Sequence, residues 1–161
     1  MENGIKLSAI GQVHVADGGF SLVLNKALIP ALGGLNGFSY LNVLWWANLF
    51  DNEDGRSVLT FEKLYTNAPD ILGIFATRSP VRPNPICLSV VSVSHIDYDN
   101  GIISIPYIDA EDGSPILDIK PYHPATDRVK EPSVPDWCSH WPQWLEDSAV
   151  FDWEAEFVNA R

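Results

Sequence analysis

The sequence predicts a mainly β protein: a compact antiparallel β-barrel with short helical turns and an irregular C-terminal tail. Three observations lead there. Short apolar runs rich in β-branched and aromatic residues recur roughly every 8–15 residues, separated by Gly, Pro, Asn and Asp. Helical periodicity is scarce, and no strand–helix–strand alternation marks a parallel sheet. With 161 residues and 46% apolar composition the chain is sized for one core, and two independent domains would each be marginal.

The elements follow in order. Ile5–Val15 alternates imperfectly but reads as a first strand, Asp17-Gly18-Gly19 as a turn, and Phe20–Leu24 as a second strand. The next segment is interrupted by Pro30, Gly33, Gly34 and Gly37 and supports at most a short helical turn. Phe38–Phe50 is the densest apolar stretch and reads as a buried central strand. Asp51–Arg56 reads as a solvated loop with a turn at Asp54-Gly55. Val58–Tyr65 is expected to be extended, and Ile71–Thr77 to run from strand into loop. Ile86–Ile96 is the clearest strand, and Asn100-Gly101 turns it into Ile102–Ile108. In an extended Ile116–Pro121, Asp118 and Lys120 share one face while Leu117 and Ile119 face the core. Beyond Pro121 the composition turns proline-rich and then acidic. Trp141, Leu145, Ser148 and Asp152 fall on successive turns of an expected amphipathic helix within Trp141–Val158. The domain reading is therefore a β-barrel over residues 1–130 and an acidic, Trp-rich extension over 131–161, packed on the barrel or on a dimer partner.

Charge narrows the function classes. Ten Lys+Arg stand against 21 Asp+Glu, a formal net charge of -11, and from Glu131 onward seven acids face Arg161 alone. Such a field gives no general attraction to DNA or to an anionic membrane, although a local basic pocket remains compatible with it. The longest apolar run, Val43–Leu49 interrupted by Asn48, is too short to span a bilayer. Two cysteines, Cys87 and Cys138, make neither a disulfide scaffold nor a metal motif, and His14, His95, His123 and His140 are scattered, so no metal is expected. The opening MENGIKLSAIGQV lacks a basic stretch followed by an apolar one, and a reducing cytoplasm is the expected compartment.

Two segments carry the candidate chemistry. In Phe75–Pro85, Arg78 and Arg82 stand four residues apart in a loop that Pro80, Pro83 and Pro85 stiffen, which presents guanidinium forks to a carboxylate. The alternative is a structural loop whose arginines pair with surface acids. In Asp109–Tyr122, a Lys120–Asp118 pair beside Tyr122 suits the orientation of a polar ligand, or else it is a satisfied ion pair at a strand end. Gly33-Gly34-Leu35-Asn36-Gly37 lacks the strand–turn–helix setting of a dinucleotide site. The tryptophans of the tail suit core or subunit-interface packing better than a stacking surface.

GIFATRSPVRPNPICLSVV at Gly73–Val91 and DGSPILDIKPY at Asp112–Tyr122 closely resemble the two hallmark motifs of the TrmO family, also called TsaA-like. IGQVH at Ile10–His14 and LNGFSYLNVLWW at Leu35–Trp46 match in the same order, so the resemblance covers roughly residues 5–127. It implies a compact β-barrel, a homodimer, S-adenosyl-L-methionine as cofactor, and methyl transfer to N6 of threonylcarbamoyladenosine in tRNA. It further implies a cofactor pocket lined by Arg78, Ser79, Arg82, Asn84, Leu88, Asp112 and Ser114, with Asp118, Lys120 and Tyr122 in catalytic roles. Asp118 would steer or accept a proton, and Lys120 would hold a carboxylate or tune Asp118. The pattern departs from the family at Tyr40 and Asn42, where histidine and tryptophan are usual, and at Cys87, where glycine is usual. It departs again near Ala68-Pro69-Asp70, which lacks a proline–arginine pair. These losses of basic side chains leave two alternatives beside tRNA: a nucleoside-like small-molecule substrate, and a non-catalytic module that binds the cofactor. A structural protein with ordinary surface ion pairs is the third class.

Overall fold

Alternation sets the first hairpin. In β1 (Gly11–Ala16) and β2 (Gly19–Leu24) apolar side chains turn inward at every second position, and Val13 pairs with Leu22, neither retaining exposed surface. The computed structural model describes residues 4–16 and 18–159, so the expected turn at Asp17 lies partly outside the described residues. The strands that follow are β3 (Tyr40–Trp46), β4 (Thr60–Glu62), β5 (Ile71–Gly73), β6 (Ile86–Ser92), β7 (His95–Asp97), β8 (Ile102–Ile105) and β9 (Pro115–Pro121). Three short helices, α1 (Glu53–Ser57), α2 (Pro124–Asp127) and α3 (Trp153–Glu156), and several 3-10 turns complete the description.

The chain divides into two compact units, Met1–Asn52 with Asn84–Arg128, and Glu53–Pro83 with Val129–Arg161. This partition differs from the expected one, because residues 53–83 group with the tail. The larger unit is a seven-stranded antiparallel sheet in the order β6-β3-β9-β1-β2-β8-β7. No pairing of β6 with β7 closes it into a barrel among the described residues. Its core is built from Val13, Leu22, Leu41, Val43, Ile103 and Ile116, all without exposed surface. Each contributes about 1.5–3 kcal/mol on burial.

Strand β9 departs from plain alternation. Leu44 pairs with Asp118 but Trp45 with Ile116, which leaves Leu117 as the extra residue of a β-bulge. The inward set is therefore Ile116 and Ile119, three apart, and not Leu117 with Ile119 as alternation alone predicts. The expected strand Ile86–Ile96 is likewise split. β6 pairs with β3 up to Ser92, Val93 N donates to Ser39 O, Ser94 N donates to Ser104 O, and β7 pairs with β8. At the other end, the strand expected from Ile5 begins only at Gly11.

In the smaller unit, β4 and β5 form a three-residue ladder. The strand expected over Val58–Tyr65 stops at Glu62 because Lys63 turns into the left-handed region at φ 41°, its N–H donating to Asp70 O. The expected loop Asp51–Arg56 instead forms α1, with Glu53 and Asp54 favourably placed in its first turn. The core here is aromatic: Tyr65 stacks on Trp137 at 5.5 Å and meets Trp141 edge-on at 4.9 Å. Burial pushes the Tyr65 hydroxyl above its ordinary pKa. The long tail helix does not form. A 3-10 turn at Glu146–Val150 is followed by α3, which Asp152 caps by accepting from Ala155 N at 3.1 Å, and Trp141, Phe151 and Trp153 pack one upon another. Val158 N donates to Leu64 O, which ties the tail to the β4–β5 segment.

Gly11 sits tight against the backbone of β2. A Cβ there would collide with Val23 O and come within 2.9 Å of Leu24 Cα, whereas one at Gly73 meets nothing within 4 Å. Gly11→Ala is expected to lower unfolding stability by about 1–3 kcal/mol, and Gly73→Ala to leave it within about 0.5 kcal/mol, both read from urea denaturation midpoints.

Candidate functional site

The inward alternation of β3 sends Leu41, Val43 and Trp45 to the core and leaves Asn42, Leu44 and Trp46 on the opposite face. Register then sets their neighbours. Leu44 lies between Asp118 of β9 and Leu88 of β6, and Asn42 between Lys120 and Val90. Asp118, Lys120 and Leu88 thus share one face of the larger unit, with adjacent strands about 4.8 Å apart. Asn42, Leu44 and Trp46 belong to the same face. Of these, Asn42 is marked in the sequence as a departure, while Leu44 and Trp46 are hidden within an unbroken apolar run.

Asp118 is heavily engaged. Lys120 Nζ donates to Oδ2 at 2.6 Å, and the backbone N–H of Ile119 donates to Oδ1 at 2.9 Å. That hydrogen bond, together with the negative charge of Asp118, holds the Lys120 ammonium above its ordinary pKa, so it stays charged at neutral pH. Tyr122 follows just past the end of β9, its ring meeting Tyr40 at 6.4 Å and its N–H donating to Tyr40 O.

Asp112 and Ser114 stand at the other end of β9. Ser114 and Lys120 lie six positions apart along extended chain, or roughly 20 Å. Ser114 is buried, and its carbonyl accepts from Val13 N. Asp112 Oδ1 accepts from Val15 N at 2.8 Å and meets His14 Nδ1 at 3.1 Å. The Val15 hydrogen bond, reinforced by His14, holds this carboxyl below its ordinary range. These two residues anchor the turn into β9 and do not join Asp118, Lys120 and Tyr122. His14 is missing from the sequence-based set, since its partner lies 98 residues away and no local spacing reveals it.

Arg78, Ser79 and Arg82 fall in the smaller unit, whereas Asn84 begins the return to the larger one. Their loop braces itself. Thr77 Oγ1 donates to Ile74 O at 2.8 Å and accepts from Ser79 N, Ser79 Oγ accepts from Val81 N at 3.2 Å, and Arg56 Nη1 donates to Pro83 O. Hydroxyl-to-backbone turns thus add to the proline stiffness. Asn84 O accepts from Ile86 N at the start of β6.

Among the described residues no group of three or more His, Cys, Asp and Glu could hold a metal ion, and no helix is long and apolar enough to cross a membrane. His123 Nδ1 accepts from Ala125 N at the start of α2, and His140 Nε2 lies 2.9 Å from the buried Glu156.

A family model described as the tRNA-methyltransferase O N-terminal domain matches residues 11–128. The chain is 34% identical over 126 residues to the tRNA (adenine(37)-N6)-methyltransferase of Escherichia coli, a match covering 77% of this chain and 53% of that protein. It is 37% identical over 114 residues to a probable S-adenosyl-L-methionine-binding protein of Methanocaldococcus jannaschii, covering 71% and 89%. The crystal structure of TrmO from Pseudomonas aeruginosa superposes with a TM-score of 0.61 at 26% identity, covering 81% of this chain and 61% of that one. The chain therefore spans about half the length of the E. coli relative.

Replacing Asp112 tests its anchoring role. A carboxyl whose folded pKa is depressed stabilises the fold above its unfolded pKa and ceases to do so as pH falls through the folded value. Asp112→Ala is expected to lower the urea midpoint at pH 7, and the gap from the wild type to close as pH falls below 3.8, the ordinary value for this group.

Proposed function

Because this chain belongs to the tRNA-methyltransferase O N-terminal domain family, we propose that it is an S-adenosyl-L-methionine-dependent methyltransferase acting on N6 of threonylcarbamoyladenosine in tRNA. The family match carries this reading, and the charged face of β9 supports it. Function belongs to residues 1–130, with 131–161 as an extension.

The residue types fit the cofactor. Its carboxylate calls for a cationic fork, which the self-braced loop of Arg78, Ser79 and Arg82 supplies. Asn84 and Leu88, the latter 44% exposed, complete the set that the family resemblance implies for the cofactor. Asp112 and Ser114 contribute by fixing the turn into β9. When bound, the cofactor supplies an electrophilic methyl group on a sulfonium.

On the substrate side, Lys120 Nζ meets the threonyl carboxylate as a permanent cation. Transfer to N6 releases one proton, and Asp118 Oδ2 is the atom positioned to receive it once Lys120 turns from the carboxyl to the substrate. Tyr122, held against Tyr40, borders the base. Orientation supplies most of the acceleration in such a site, because Lys120 occupies Asp118 Oδ2 until a ligand separates the pair.

Two further features belong to this reading. The sheet is rolled toward a barrel, since its edge strands β6 and β7 are consecutive parts of one bent segment. The protein acts as a homodimer, as the family resemblance implies. It works in the cytoplasm, beside its tRNA.

The experiment is transfer of labelled methyl from S-adenosyl-L-methionine to total small RNA, with a nucleoside pool in parallel. RNA is expected to be labelled, and Lys120→Met and Asp118→Asn each to slow single-turnover transfer at least about tenfold. Label in the nucleosides alone would make the substrate a small molecule. Unchanged rates in both variants would remove the pair from the mechanism.

A further inference from the structure

The outer face of the larger sheet carries a second polar site, on the strands away from β6. His14 of β1 stands opposite Ser21 of β2, and Ser21 opposite Ser104 of β8. Their sequence neighbours Val13, Leu22, Ile103 and Ile105 are buried in the core, so the three polar side chains point outward. They border a groove of about 410 Å³ that Ser94, Phe20 and Pro106 also line.

The lining narrows the ligand. None of the described residues around the groove is Lys or Arg, and the chain's net charge of -11 opposes a phosphate. The imidazole of His14 is oriented through Nδ1 by Asp112 at 3.1 Å, which leaves Nε2 as the nitrogen to meet a ligand. Three serine hydroxyls, each both donor and acceptor, accompany it. A solvent-facing sheet is polar by default, but these short side chains border an open hollow of a size that small-ligand sites have.

We infer that this groove takes a ribose through its hydroxyls, held by His14 and the outward serines. Ser21 and Ser104 stand about 5 Å apart across the ladder, so one ligand hydroxyl can accept from the first and donate to the second. Recognition through neutral hydroxyls lets a strongly acidic protein hold RNA without gripping its phosphates. The inference rests on the tRNA reading for the source of the ribose, not for its chemistry.

The full chain is titrated with adenosine, 2′-deoxyadenosine, an unpaired hexaribonucleotide and its deoxy counterpart. Binding is followed at the His14 imidazole signal in ¹H–¹³C NMR, identified by its loss in His14→Gln. The ribose ligands are expected to move that signal and to bind about fivefold more tightly than the deoxy ligands, the effect of one hydrogen bond. Ser21→Ala and Ser104→Ala are expected to abolish the difference while deoxy affinity stays unchanged. Adenosine binding as well as the hexamer marks a free nucleoside as the ligand, and binding of the hexamer alone marks RNA. A His14 signal unmoved by all four, or equal ribose and deoxyribose affinities, overturns the inference. Methyl transfer measured on the same preparation separates the two readings. Transfer with an unmoved His14 signal removes the groove and keeps the enzyme, and the reverse result keeps the groove alone.

Discussion

Strand β9 is the connection on which the larger unit depends. It hydrogen-bonds to β3 on one side and β1 on the other, and without it the sheet separates into a β6–β3 pair and a β1-β2-β8-β7 ribbon. Ile116 occupies the junction, paired with Gly11 and Trp45 and fully buried. Isolated ribbons of two strands are marginal in water, so the apolar faces of the two parts are secured by this one insertion. The same strand carries the charged pair of the candidate site. The residues that complete the sheet and those that present chemistry therefore share seven positions, with the bulge at Leu117 between them.

That bulge has a functional side. By adding one residue it lets Ile116 and Ile119 both reach the core while Asp118 and Lys120 keep a common outward face. The two charges then sit close enough to bond, which keeps Lys120 protonated and occupies Asp118. A site of this kind orients a ligand through two charges held in fixed relation.

Much of this was legible in the sequence where signals are local. The period-two pattern of Phe20–Leu24, the Asn100-Gly101 turn and the stiff Arg78–Arg82 loop all depend on neighbours within a few residues. Of the residues in the two motifs, the register of β3 brings Leu88, Asp118 and Lys120 onto one face. What escaped depends on partners distant in the chain. Nothing near Leu117 announces a bulge, because the bulge is defined by the register of β3. The break at Val93-Ser94 reflects a change of partner from β3 to β8 inside a run of uniform β-propensity. His14 gains its role only from Asp112. In the tail, tryptophan spacing resembles a helix face, but each ring finds its own place around Tyr65, and tertiary packing overrides the weak helical preference.

The late position of β9 bears on how the chain is made. As the polypeptide leaves the ribosome from its N-terminus, β1 and β3 emerge long before the strand that will lie between them. During that interval both present an unsatisfied backbone edge beside apolar side chains, the condition under which nascent chains pair with the wrong neighbour. Truncated products ending before Pro115 would be stranded in this state, which makes them natural clients for chaperones and proteases.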